Sequence, residues 1–214
     1  MIDPLSWNLI AKAVLSALGL ILLMGCTTAP PGVAGVSIDT KRASKKILDQ
    51  YDKDHNGGLS RAELASLPPL ESRLSWYDTN HDDQISADEL AAGLRTIFDP
   101  RNGLQSVCCE VTRNGQPLAG ANVKFAPLAS LEDAIPPATA VSDNQGVAKL
   151  GISPEELPAN APTTLPLVRP GLYLVKVTHP SISVPEEYNV STTLGEEISS
   201  YSTAGGPLKI QLKF

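Results

Sequence analysis

Two twelve-residue runs constrain this chain more than anything else in it: DKDHNGGLSRAE at residues 52–63 and DTNHDDQISADE at residues 78–89. Each sets acidic or amide residues at alternate positions and closes on a glutamate. In a tight loop, alternate side chains turn to one side, so their oxygens converge. A hard cation such as Ca²⁺ wants six to eight oxygens at roughly 2.3–2.6 Å, and a short loop supplies them in this way. In the first run Asp52, Asp54 and Asn56 are expected to turn inward. Gly58 would offer its backbone carbonyl, Ser60 would act directly or through water, and Glu63 would close with both carboxylate oxygens. The second run repeats the set with Asp78, Asn80, Asp82, the carbonyl of Gln84, Ser86 and Glu89. Gly57 stands where the loop needs a sharp turn. Asp83 holds that place in the second run and can enter a left-handed backbone only at a cost. Leu59 and Ile85 are placed to pair between the loops.

Helical patterning flanks both runs. Ile47, Leu48 and Tyr51 share one side of KRASKKILDQY, and RAELASL continues after the first loop until Pro68 and Pro69. Leu70, Leu74 and Tyr77 lead into the second loop. Leu90, Leu94, Ile97 and Phe98 form one face after it, before Pro100. This arrangement resembles the EF-hand calcium loop, in tandem. The resemblance implies two calcium sites in a small all-α pair, the first more regular than the second because of Asp83. A dockerin module also repeats a calcium loop, but typically ends it with Asp and lacks the helix before each loop. The chain's two methionines, Met1 and Met24, both lie near its start, so the pair has no Met-rich target groove of the kind sensors expose. Weak binding, around 10⁻⁴ to 10⁻³ M, and a structural role are what an exported module of this kind implies.

The N-terminal stretch carries Lys12 and then AVLSALGLILLM, an apolar run too short for a comfortable membrane span. It ends in LLMGC. An aliphatic residue three before Cys26 and Gly25 immediately before it resemble the bacterial lipoprotein signal, which implies cleavage before Cys26 and lipid on its thiol. Several acyl chains anchor a soluble body where one would not. The stretch after Cys26, TTAPPGVAGVSIDT, reads as a tether. Cys108 and Cys109 are adjacent and without CxxC spacing. On a strand they point to opposite faces, one thiol buried and one partly exposed.

From Leu104 the texture changes to short β-branched segments punctuated by turns, among them Asn114-Gly115 and residues 144–146. VTRNGQPLAGANVKFAP, SDNQGVAKL, RPGLYLVKVTH and PLKIQLKF resemble the carboxypeptidase regulatory-like, or transthyretin-like, β-sandwich. That resemblance implies a non-catalytic domain used for binding or attachment. Residues 128–138 and 154–170 are rich in proline and are expected as long surface loops.

Little else in the chain is reactive. His55 and His81 fall at outward positions of the loops, His179 precedes Pro180, and no nucleophile, zinc-protease or phosphate-loop motif occurs. A formal charge of −6 argues against a nucleic-acid partner. A carbohydrate-binding face would need exposed rings, for which Tyr173, Tyr188 and Tyr201 are the candidates. The expectation is therefore a multidomain chain, with a small all-α EF-hand pair followed by an all-β prealbumin-like sandwich. Residues 1–25 would be the signal, 26–40 the tether, 41–100 the helical pair and 104–214 the sandwich. Its expected role is a non-enzymatic, calcium-binding lipoprotein of the cell envelope, at the outer membrane, on its periplasmic side or on the cell surface. It would meet the membrane through Cys26 and a protein or polysaccharide partner through the sandwich. The alternative is an accessory subunit of an envelope complex in which calcium only stabilises the fold.

Overall fold

In the computed structural model, which describes residues 33–200 and 206–214, the first regular element is α1 (Thr40–Tyr51). Asp39 starts it by accepting the Arg42 N–H at 3.0 Å, and Ala43, Ile47 and Leu48 bury its inner face. The first loop follows and enters β1 (Gly58–Ser60) and then α2 (Arg61–Leu64). Two further single turns, α3 (Pro68–Glu71) and α4 (Leu74–Tyr77), lead to the second loop. That loop enters β2 (Gln84–Ser86) and α5 (Ala87–Ile97), which lays Leu90, Leu94 and Ile97 against α1. Gly93 lets α5 approach closely: a β-carbon there would sit 2.1 Å from the ring of Tyr77.

The strands that follow form two four-stranded sheets. In one, β3 (Val107–Arg113) pairs in parallel with β10 (Leu208–Leu212) and antiparallel with both β4 (Gln116–Pro117) and β7 (Val147–Leu150). In the other the order is β6 (Ala138–Val141), β5 (Asn122–Pro127), β8 (Gly171–Thr178), β9 (Gly195–Ile198), antiparallel throughout. Asn114 and Gly115 take φ of 51° and 79°, which closes the tight β3–β4 hairpin. The chain then leaves for the other sheet, so β3 and β5 are not hairpin partners. The turn at Gly146 (φ 77°) hands it back, and an isolated bridge from Thr139 to Gly151 stitches the two sheets together. Val123, Phe125, Val175 and Val177 face inward from one sheet, Cys109, Val111, Ala148 and Ile210 from the other. Alternation of apolar and exposed residues along β5 and β10 follows from the pleat.

Three expectations need correction. An all-α pair followed by a separate all-β sandwich is not what the chain forms. The helical region carries its own two-stranded sheet, and of the five α-helices among the described residues only α1 and α5 exceed four residues. Prolines at the start of α3 and a break at Ser72 and Arg73 reduce the helix expected before the second loop to two turns. The described residues all belong to one compact unit, Val33–Phe214, with a mixed α and β core. The physical reason is packing: Pro68 and Pro69 lie on Gly195, and the Tyr77 hydroxyl donates to Glu197 at 3.0 Å. Residues 128–137 are also not merely a surface loop, because Leu128, Leu131 and Ile135 are buried in the core. Finally, Tyr173 and Tyr188 are buried rather than exposed, while Tyr201 and Cys26 lie outside the described residues.

Candidate metal centre

The first loop begins where α1 ends. Asp52 is the last residue whose N–H reaches back into the helix, to Leu48 O at 2.8 Å, and its carboxylate then organises the loop ahead. One oxygen accepts the Asn56 N–H at 3.2 Å and the other the Gly57 N–H at 2.9 Å. Asp54 Oδ1 accepts the same Asn56 N–H at 3.1 Å, and Asn56 Oδ1 accepts the Gly58 N–H at 2.9 Å. Short polar side chains thus take up backbone donors that neither helix nor strand satisfies. Gly57 has φ 91°, the sharp turn expected of it.

Glu63 closes the loop from α2. Its Oε1 accepts the Lys53 N–H at 2.7 Å, while Oε2 accepts the Ser60 N–H at 2.8 Å and the Ser60 hydroxyl at 2.7 Å. The Ser60 hydroxyl and backbone donors hold the Glu63 carboxyl down to about 2, well below the usual range. The side chain is therefore a fixed anion, 6% exposed. Ligand oxygens of Asp52, Asp54 and Glu63 lie within 4.8 Å of one another. Oxygens on opposite sides of a cation at roughly 2.4 Å are about that far apart, so the spacing fits a hard divalent ion. The donor set is oxygen throughout, which suits Ca²⁺ or Mg²⁺ better than a thiophilic metal.

The second loop repeats the backbone-donor bonds of the first. Asp78 accepts from Asp82 N at 3.2 Å and Asp83 N at 3.0 Å, Asn80 Oδ1 from Asp82 N at 3.0 Å, and Asp82 Oδ1 from Gln84 N at 3.0 Å. Glu89 accepts from Thr79 N at 2.9 Å and from the Ser86 N–H and hydroxyl at 3.0 and 2.7 Å. Burial alone would raise the Glu89 pKa, but the bonds from Ser86 and Thr79 outweigh it and hold the group down to about 2. Asp83 takes φ 63°, the left-handed backbone its place demands. Among the described residues, the tight three-acid cluster belongs to the first loop alone. In the second, Asn80 stands in place of Asp54 and Asp82 in place of Asn56, while the amide-to-acid bond is common to both loops, Asn80 to Asp82 at 2.9 Å and Asn56 to Asp54 at 3.1 Å.

A short antiparallel ladder joins the loops, pairing Gly58 with Ser86, Leu59 with Ile85 and Ser60 with Gln84. Leu59 and Ile85 are fully buried beneath it. The Ser60 and Ser86 hydroxyls donate to Glu63 and Glu89 and so position those carboxylates, while each oxygen keeps a lone pair. Three features escaped the sequence reading. His55 and His81, whose side chains point outward, adopt left-handed backbone at φ 58° and 63°, which their outward placement did not reveal. The Thr79 hydroxyl donates to Glu89 at 2.9 Å. Arg61 pairs with Asp83 across the loops at 3.3 Å, where exposure of both partners keeps the contribution small. A polar residue flanking an acid in a tight loop was the available signal for Thr79.

No family model, curated protein or solved structure matches this chain.

Proposed function

We propose that the protein is a non-enzymatic calcium-binding lipoprotein of the cell envelope, in which bound Ca²⁺ fastens the loop pair to the strands behind it. The observation that carries the reading is the convergence of Asp52, Asp54 and Glu63, anions held ready in a loop shaped for a hard cation. Asp52, Asp54, Asn56, Gly58 and Glu63, with Ser60 directly or through water, would hold the first ion, and Asp78, Asn80, Asp82, Gln84, Ser86 and Glu89 the second. Calcium would supply positive charge where three carboxylates otherwise repel one another, an effect of structure rather than catalysis. The strands would serve a binding or spacing role. Anchoring rests on the sequence before Cys26, and Cys26→Ser is expected to leave the protein in the soluble fraction; unchanged membrane retention would remove that part of the reading.

Calorimetric titration with Ca²⁺, beside thermal unfolding in calcium and in chelator, tests the calcium site. Heat of binding is expected, and the unfolding midpoint should rise because mass action adds about 2.7 kcal/mol of stability at a hundredfold excess over Kd. Glu63→Gln removes one of the paired anions and is expected to weaken the first site at least tenfold. Unchanged calcium uptake in that variant would show that the loop is a solvated turn.

A further inference from the structure

The sheet β6–β5–β8–β9 has an inner face that is core and an outer face that is only partly covered. Register assigns the outer face. Leu172 lies opposite Glu197 and Leu174 opposite Gly195, and these rows meet the helical region, Gly195 against Pro69 and Glu197 against Tyr77. The next rows on the same face, two residues further along β8, are Lys176 opposite Lys124 and Thr178 opposite Asn122. On β6, Thr139 lies opposite Lys124, and Val141 opposite Asn122. These rows are not covered. They floor a groove of about 810 Å³, walled on the far side by Asn189 and Val190. Val141 is 62% and Val190 74% exposed, so both rims present bare aliphatic surface.

Charge decides what the groove suits. Two lysines directly opposite on antiparallel strands repel, because their β-carbons are about 5 Å apart. Among the described residues no carboxylate lies within ion-pair distance of either. On the other sheet a facing lysine has an acid for a neighbour: on the parallel pair β3–β10, Lys209 lies opposite Glu110 and pairs with it. An acidic protein, formally −6, thus keeps a bare pair of cations on the floor of an apolar-rimmed groove. We propose that this groove binds an acidic peptide segment of a partner protein, its carboxylates on Lys124 and Lys176 and its aliphatic side chains on Val141 and Val190. Sugar polymers are the less suited occupant. No aromatic ring lines the groove, and Tyr173 and Tyr188 are buried, so there is no stacking platform for a pyranose. Pairing as an added strand on β6 is also disfavoured, since Thr139 already gives both its backbone groups to Gly151.

The test uses the full chain and a fluorescein-labelled decapeptide of alternating Glu and Val, read by fluorescence anisotropy in calcium and again in chelator. Binding is expected at about 50 mM salt and is expected to weaken severalfold at about 300 mM, as a charge-led contact should. The Lys124→Glu, Lys176→Glu double variant is expected to lose at least tenfold in affinity. Lys124→Arg with Lys176→Arg is expected to keep it, and both variants should melt with the parent because the side chains are on the surface. No binding by the parent, or binding indifferent to the double reversal, overturns the proposal. So does lysine-dependent binding of polygalacturonate in preference to the peptide. The groove lies on strands and not on the calcium loops, so failure here leaves the calcium reading standing, and peptide binding unaffected by chelator supports the groove even if calcium does not bind.

Discussion

At the scale of single residues, the two closing glutamates show how a side chain is prepared before any ligand arrives. Four donors, from Ser60, Lys53 and Asp54, fix Glu63 as an anion, and five, from Ser86, Thr79 and Asn80, fix Glu89. Glu196 is the opposite case. It faces inward beside Tyr173 on β9, and burial raises its pKa to about 7, with Arg73 pulling only partly the other way. Its folded pKa is above the ordinary 4.5, so its contribution to stability is fully present below that value and is lost as pH rises through about 7. Glu196→Gln, which cannot ionise, is expected to unfold near the parent temperature at pH 4.5 and several degrees above it at pH 7.5, both in chelator. Parallel melting curves for the two proteins across that range would show that Glu196 is not buried as an acid.

At the scale of elements, the loops are bound to each other as much as to any cation. The Leu59–Ile85 pair is the centre of the ladder, and each side chain is completely enclosed. Ile85→Ala leaves every candidate ligand in place but opens a cavity, so a loss of about 2–4 kcal/mol is expected. Calcium affinity should fall in both loops together, and loss confined to the second loop would mean that they act independently. The twelve-residue loops, the ladder and the long helices α1 and α5 were legible in the sequence, because alternation and helical periodicity are local. The shortening of α2, α3 and α4 was not. RAELASL reads as a longer helix, but Leu67 is fully buried at the turn into Pro68, so tertiary packing ends the helix before propensity does. Likewise Leu128, Leu131 and Ile135 sit among prolines that suggest a surface loop, and only the assembled core shows why they are apolar. The candidate ligands were readable by type and spacing, while the convergence of three acids in the first loop alone is a matter of distances that spacing does not give.

At the scale of the whole molecule, the junction between the loop-bearing helices and the β6–β5–β8–β9 sheet decides whether calcium can act beyond its own loops. Tyr77 ends the helix that runs into Asp78, and its hydroxyl meets Glu197, which also accepts from Ser199 at 2.8 Å and lies 3.9 Å from Arg73. Beside this network Gly195 has no room for a side chain: a β-carbon would lie 2.3 Å from Pro69 Cδ and 2.5 Å from its backbone nitrogen. A flexible side chain could swing aside, but a proline ring and backbone cannot. If the junction transmits stability, the parent unfolds in one calorimetric transition and calcium raises all of it. Gly195→Val wedges α3 from β9 at an expected cost of about 1–3 kcal/mol. In that variant calcium should still raise the unfolding of the loop-bearing helices while the strands cease to respond, so that the transition broadens or divides as calcium is added. A parent that already unfolds in two steps, only one of them sensitive to calcium, would mean that the cation stabilises its loops alone and that the contacts at Gly195 and Glu197 hold the two regions together without coupling them.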